Sequence, residues 1–475
     1  MAETWVNSAE RIGADLHLEL SGPGGRRAAL IRALRDAVRG GRLAPGTRLP
    51  PYRSLAADLG MARNTVADAY AELVAEGWLT ARQGSGTRVP TPLRQWGNTV
   101  SPGAAARVPK KAPTPARGPR HDLRQGTPDA SSFPRSAWLA SYRRALQQAP
   151  NEAFGPGDPA GRRELREALA EYLTRTRGVR AEPGRIVICS GFAHALRLLF
   201  PQVLRGPLAV ESYGLGFHRE LLTAASVRTV PLPLDEDGAQ VDGLDRERAV
   251  LLTPAHQFPT GGPLHPTRRA AVVDWARARG GLILEDDYDG EFRYDRSPVG
   301  ALQGMDPERV VHIGSVSKSL SPALRLGWMV LPERYVDAVL AAKGEREAWA
   351  SALDQLALAD FLASGSYDRH VRRMRQRYRK RRDRLVEALA ERAPHIEVTG
   401  IAAGLHAVLR LPPGTERSAV KAATWQGVAL DGLAEFRHPR ATTPLPDGLV
   451  VGYATPSEHA YGAALEALCE ALPPG

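Results

Sequence analysis

In the first ninety residues, apolar positions recur with helical spacing. Leu30, Ile31, Leu34 and Val38 form one stripe of "RRAALIRALRDAVRGG", which stops at Gly40 and Gly41. Leu55, Ala56 and Leu59 mark a short helix in "YRSLAADLG". Val66, Tyr70, Leu73 and Val74 fall at i, i+4, i+7 and i+8 of "ARNTVADAYAELVAEG", which Gly77 ends. The second and third helices, separated by a short glycine-containing turn, predict a helix-turn-helix. "LTAR" and "TRV" then flank "QGSG" as a small hairpin. Residues 18–89 therefore predict a winged helix.

Residues 90–120 break the pattern. They are rich in Pro, Ala and Gly, and from 91 onward they carry six basic residues and no acidic one. Such a stretch cannot bury a core and reads as a semi-extended linker. From 121 to 475, strand-length apolar runs alternate with amphipathic helical stretches. The runs include "RIVIC", "PLAVES", "AVLLTP", "GLILEDD" and "RVVHIGS". This alternation predicts an α/β domain around a largely parallel sheet. Several runs end in polar or glycine-containing turns, where such sheets bind ligands.

Composition adds three constraints. The 475 residues suit two or three domains. No apolar run approaches the roughly 20 residues that span a bilayer, and the first residues lack a signal-peptide pattern. With only Cys189 and Cys469, a disulfide framework is not expected. Together these point to a cytoplasmic protein with no membrane partner. The net charge of +11 is unevenly spread. Residues 1–120 hold 18 Lys+Arg against 9 Asp+Glu, and the remaining 355 hold 45 against 43. A basic first quarter on a near-neutral body suits an N-terminal nucleic-acid module.

The polar residues of that module agree. Arg63, Asn64, Thr65 and Asp68 lie off the apolar stripe near the start of the third helix, where a recognition helix reads base edges and phosphates. Arg48 and Arg53 flank the second helix. Arg82, Gly84, Ser85 and Gly86 sit at the wing tip, where glycine lets backbone approach a groove.

A second constellation centres on Lys318, in "VHIGSVSKSLSPALRLGWMVLP". A lysine in an apolar, glycine-lined pocket has a depressed pKa and a nucleophilic amine, able to form a Schiff base with an aldehyde such as pyridoxal phosphate. That cofactor also needs a carboxylate at its pyridine nitrogen, a hydroxyl near its ring oxygen and donors for its phosphate. Asp286 and Tyr288 in "LILEDDYDGEFRY" offer the first two. Ser315, Ser317, Arg325 and the turn at Gly191 and Phe192 in "CSGFAHAL" offer phosphate donors, since a strand-to-helix turn favours anions.

The first segment, "GRLAPGTRLPPYRSLAADLGMARNTVADAYAELVAEGWLTARQGSGTRV", resembles the winged helix of GntR-type transcription regulators. "GSVSKSLSPALRLGWMVLP", "EDDYDGEFRY", "TPAHQFPTGGPL" and "HDLRQGTPDASSFPRSAW" resemble the aminotransferase-like domain of the MocR-type (GabR-like) subfamily. The resemblance runs from about 18 to the end. It implies a fold-type-I domain over 121–475, with a mostly parallel central sheet and a small C-terminal α/β subdomain. It implies DNA contacts by Arg53, Arg63, Thr65 and Gly84. It implies Lys318 as the Schiff-base lysine, Asp286 at the pyridine nitrogen, Tyr288 at the ring oxygen and Arg325 at the phosphate. It further implies a head-to-tail homodimer. The basic run from Arg369 to Arg384 then reads as a solvated helix face rather than a second DNA site.

The chain also departs from the family pattern. Ala62 replaces the Ser or Thr that caps the recognition helix, with Asn64 as a possible substitute. Pro156 stands where relatives have a tyrosine that reaches the neighbouring subunit's phosphate. Leu215 stands in the column of the ring-stacking aromatic, with Tyr213 nearby. Phe192 replaces a small residue, and Val450 an arginine that grips a substrate carboxylate, leaving Arg437 or Arg440 for that task. The expected function is a pyridoxal-phosphate-dependent regulator of transcription. It binds operator DNA and senses the cofactor or an amine through Lys318, with little or no transaminase activity. A working aminotransferase, or a cofactor-free dimerising DNA-binding protein, are the alternatives.

Overall fold

The three helical stripes at the start of the chain become three packed helices in a computed structural model of the protein. The structure describes residues 20, 25–82, 86–90, 119–155, 157–294, 299–344, 350–442 and 444–475, and of Arg82 the backbone alone. Gly84, Ser85 and Pro156, and most of the stretch read as a linker, lie outside these residues. The chain divides into two units, Met1–Thr114 and Pro115–Gly475.

In the first unit, α1 (Arg26–Arg39), α2 (Tyr52–Asp58) and α3 (Arg63–Ala75) bury Leu30, Leu34, Leu55, Val66, Tyr70 and Leu73 in one cluster. Removing such side chains from water is the main force holding so small a unit together. Two polar ties fix the helices in place. The Tyr70 hydroxyl donates to the Pro50 carbonyl at 2.9 Å, and Arg35 pairs with Glu76. Strands β1 (Thr80–Arg82) and β2 (Gly86–Arg88) form the antiparallel wing, with Thr80 opposite Arg88. At the start of α3, Ala62 makes no side-chain cap bond, and neither does Asn64 replace it.

The second unit is built on seven strands: β3 (Ile186–Cys189), β4 (Leu208–Glu211), β5 (Thr229–Leu232), β6 (Ala249–Leu252), β7 (Leu282–Asp286), β8 (Val310–Ser315) and β9 (Gly327–Val330). Their order is β3-β9-β8-β7-β6-β4-β5. All pairings are parallel except those of β9, which runs antiparallel to both neighbours. The central strands are near-continuous apolar runs because both faces of the sheet are covered. Among the covering helices are α4 (Arg135–Gln148), α5 (Arg163–Arg177), α6 (Phe192–Leu198), α7 (Gly216–Ala224), α8 (Pro266–Arg279), α9 (Glu333–Lys343) and α10 (Ala352–Ala363). The 27-residue α11 (Ser366–Arg392) leads to a second, antiparallel sheet. Its strands are β10 (Glu397–Thr399), β11 (His406–Arg410), β12 (Asp431–Gly432) and β13 (Gly448–Gly452), in the order β10-β11-β13-β12. Helices α12 (Glu416–Trp425) and α13 (Glu458–Ala471) pack on it. Among the described residues no helix is long and apolar enough to cross a membrane.

Candidate functional site

Parallel strands place their C-terminal ends, and the loops that follow, along one edge of the sheet. Here that edge carries Glu211 at the end of β4, Asp286 at the end of β7 and Ser315 at the end of β8. Lys318 follows three residues after β8, Ser190 and Gly191 follow β3, and Arg325 precedes β9. All of them line one cavity of about 290 Å³, together with Tyr288, Ser317, Phe192, Tyr213 and Leu215. The eight residues singled out for the cofactor, from three separate chain segments, thus meet in one place. The volume is near the lower bound of the roughly 300–1,000 Å³ typical of small-molecule sites.

The charges in this cavity are coupled. Burial pushes the Lys318 ammonium below its usual range, against the opposing pull of Asp286 and Asp289. Its Nζ donates to the Gly126 carbonyl, and a Cβ on Gly126 would lie 2.9 Å from that nitrogen. Burial, reinforced by Asp287, holds the Asp286 carboxyl well above its usual range, with Lys318 opposing. Behind it, burial alone would raise Asp287 too. There the Arg177 guanidinium, bonded at 2.7 and 2.8 Å, and His312 outweigh it and hold the carboxylate low. The two adjacent aspartates therefore differ. Asp287 is neutralised from within the protein, while Asp286 faces the cavity short of positive charge.

The turns follow from backbone geometry. Gly191 sits at φ 107°, which side-chain-bearing residues rarely adopt, at the entry to α6. A Cβ on Gly327 would come within 2.9 Å of Gly191 and of the Gly314 carbonyl, so β9 presses directly on this turn. Arg325, exposed, is held in the left-handed region at φ 52°. The Ser317 amide donates to Ser315 Oγ at 3.4 Å.

Several residues of the site carried no role in the sequence reading. Tyr288 Oη lies 2.9 Å from His256 Nδ1, which lies 2.7 Å from Asp289. Burial pushes Glu211 up to about 7, although Thr253 and Gln257 bond to it. His406 reaches the cavity from β11 of the other sheet. His218, pushed down to about 4 by burial and then by Lys318, packs against Phe192 with ring centroids 4.7 Å apart and the planes tilted by 41°. These two rings give the cavity an aromatic wall beside Leu215. Tyr213 is buried, and its hydroxyl accepts from the Leu445 amide at 2.9 Å. His256, in "TPAHQFPTGGPL", and Glu211, a lone acid ending an apolar strand, were the readable signals.

Arg437 and Arg440 are not among the cavity's lining residues. Arg437 donates to the Ala441 carbonyl at 2.7 Å, and Arg440 is exposed beside His438 on another surface depression. The carboxylate-gripping role expected of them finds no support in this geometry: the backbone of Arg437 pairs with Tyr213 and that of His438 with Ser212, and neither arginine side chain lines the cavity. Val450 is buried in β13 within the core.

On the winged helix, Arg48, Arg53, Arg63 and Asn64 are exposed and Thr65 is partly buried. Arg48 lies over Gly86 of the wing, whose added Cβ would meet its Nε at 3.1 Å. The backbone of Arg82 ends β1, opposite Gly86.

The donor set fits pyridoxal phosphate, the cofactor of this fold. It comprises an amine of lowered pKa, a buried carboxyl that only the Lys318 ammonium opposes in charge among its main influences, a phenol, and a glycine turn kept clear for a phosphate. Residues 27–89 match the family of bacterial regulatory proteins, gntR family, and residues 122–466 match aminotransferase class I and II. The "Probable rhizopine catabolism regulatory protein MocR" of Rhizobium meliloti is 33% identical over 90% of this chain and 89% of its own. The "HTH-type pyridoxine biosynthesis transcriptional regulator PdxR" of Corynebacterium glutamicum is 33% identical over 80% of this chain and 82% of its own. An archaeal alanine:glyoxylate aminotransferase aligns at a TM-score of 0.67 and 23% identity, over 74% of this chain and 89% of its own, a likeness of fold. With a GntR-type helix-turn-helix and an aminotransferase class I and II domain in one polypeptide, this chain belongs to the MocR-type family of GntR transcription regulators.

Proposed function

We propose that this regulator binds operator DNA through Arg48, Arg53, Arg63, Asn64, Thr65 and the wing at Arg82 and Gly84. Its second unit senses pyridoxal phosphate itself, or a primary amine that takes the place of the Lys318 amine. The carrying observation is the gathering of Lys318, Asp286, Tyr288 and the Gly191 turn around one cavity. Pyridoxal phosphate supplies an aldehyde and an electron-accepting ring. Lys318, with its lowered pKa, offers an amine to that aldehyde. Asp286 would face the ring nitrogen and gain the positive charge it lacks. The Tyr288 phenol, aligned by His256, would meet the ring hydroxyl. Ser315, Ser317, Arg325 and the turn at Gly191 and Phe192 would hold the phosphate. Asp287, tied to Arg177, stiffens the backbone beneath Asp286.

A homodimer is part of the reading. Leu139 and Leu146 on α4, and Phe154 after it, are exposed apolar side chains of a kind that interfaces cover. The name of the Corynebacterium relative supports a vitamin B6 effector, and that of the Rhizobium relative leaves other small molecules open. The test is the visible absorption of purified protein with pyridoxal phosphate, beside a Lys318→Ala control. A visible band lost in the control supports the reading. No band in either protein would favour a cofactor-free dimerising regulator.

A further inference from the structure

The run Arg369–Arg384 carries ten Lys+Arg and a single acid, Asp383. Without it, residues 121–475 would hold 35 Lys+Arg against 42 Asp+Glu, so this one helical stretch turns an acidic body near-neutral. The structure sorts nine of the ten cations into two groups, with Arg382, half-buried, between them. Arg381 is buried at 1% exposure, facing Glu458, Asp129 and two carbonyls. Arg377 and Arg384 also turn to Glu458. These three fasten α11 to its own domain. Arg369, Arg372, Arg373, Arg375, Arg379 and Lys380 are exposed. Among the described residues, only Arg379 of these six has a carboxylate within 4.0 Å, that of Asp383. Arg372 and Arg375 line one polar depression with Arg175 of α5, so the basic surface extends beyond a single helix. Arg175 is paired with Asp368 there, and Glu291 faces the same depression.

We propose that this outward face of α11 is a second contact surface for the backbone of double-stranded DNA, beside the groove contacts of the winged helix. The inference rests on the DNA-binding reading above. Charge complementarity selects the partner. Between Arg369 and Lys380 the helix rises roughly 17 Å, and a duplex presents one negative charge per about 1.7 Å of axis. Six exposed cations over that length, five of them without a carboxylate within 4.0 Å among the described residues, match a row of phosphates. The opposite face of the same helix holds the lysine loop. The Tyr367 hydroxyl donates to Ser319 Oγ at 2.7 Å, and His370 Nε2 lies 2.7 Å from the Ser319 carbonyl. The surface that meets DNA is thus one helix thickness from the residue after Lys318.

The experiment uses the full chain and a random-sequence duplex of about 60 base pairs, because non-specific binding reads backbone contacts alone. Affinity is measured against salt for the parent and for Arg372→Gln/Arg373→Gln/Arg379→Gln/Lys380→Gln, which keeps helix propensity. The expected result is at least a tenfold loss of affinity at low salt. The slope of log K against log salt should be shallower by about 0.9 for each phosphate contact removed. The Lys318-dependent visible band should stay, and α11 amides of the parent should exchange more slowly when DNA is bound. Parental slope and affinity in the variant would overturn the inference. So would loss of binding to anionic phospholipid vesicles with DNA binding intact. Arg63→Ala, measured in parallel, separates the two readings. If it alone weakens binding, only the α11 contact fails. If neither variant has an effect, the winged-helix reading fails as well.

Discussion

At the scale of single residues, neighbours in sequence take opposite roles. Asp286 and Asp287 are adjacent, yet strand alternation sends their side chains to different surroundings. Asp287 meets Arg177, and both are almost fully buried. Replacing Arg177 with Ala strands a buried carboxylate, and unfolding in urea should report a loss of about 3–5 kcal/mol at neutral pH. The pH dependence has a definite sign. The folded value of Asp287 lies below its unfolded value of 3.8. Its stabilisation is therefore present above that value and lost as pH falls through the folded one. The gap between parent and Arg177→Ala should narrow in acid, and a constant gap down to low pH would contradict this pairing. Lys318, Asp286 and Tyr288 could be proposed from residue type and order along the chain, and the structure gathers them at one cavity. His218 and His406 were not legible, because a histidine has no role until its neighbours are known, and His256 was marked only by its motif.

At the scale of elements, the apolar stripes specified the helices of the first unit well, since a 3.6-residue period is local information. The start of α3 is a weak point. Ala62 offers no side-chain acceptor there, and no other side chain supplies the cap bond. Ala62→Ser should stabilise this end by about 1 kcal/mol. Hydrogen exchange of the first α3 amides would then slow by about fivefold. Unchanged exchange would mean that these amides already have a partner in solution. The basic run on α11 illustrates a limit of reading elements from sequence. Ten cations look alike as letters, and only the position of Glu458 on α13 and Asp129 near α4 separates the paired anchors from the outward face. Arg437 and Arg440 show the same limit. Proximity in sequence to a motif strand did not put them on the cavity wall, since Arg437 bonds back to Ala441 and Arg440 faces a separate depression.

At the scale of the whole molecule, the GntR-type helix-turn-helix and the aminotransferase-like domain reside in two units of one chain. Arg63→Ala should weaken binding of a cognate operator by roughly tenfold to a hundredfold, the 1–3 kcal/mol of a base or phosphate contact. It should leave the Lys318-dependent band untouched. Fluorescence anisotropy and the visible spectrum of the same sample check both. Equal operator affinity for mutant and parent would remove Arg63 from the interface.

Sequence by itself determined the order of the two units, the winged helix, the alternation that makes a parallel sheet, and the lysine, aspartate and tyrosine proposed for the cofactor site. Each of these is written in short-range spacing or in motifs a few residues long. Tertiary structure alone decided what surrounds them. It brought Gly126 to Lys318, 192 residues away in the chain, and His406 of the second sheet to the same cavity. It set Glu211 near neutrality and kept Asp287 charged. The physical reason is that burial and charge act through space. Desolvation and Coulomb energies depend on which distant segments pack together, and no periodicity along the chain carries that information.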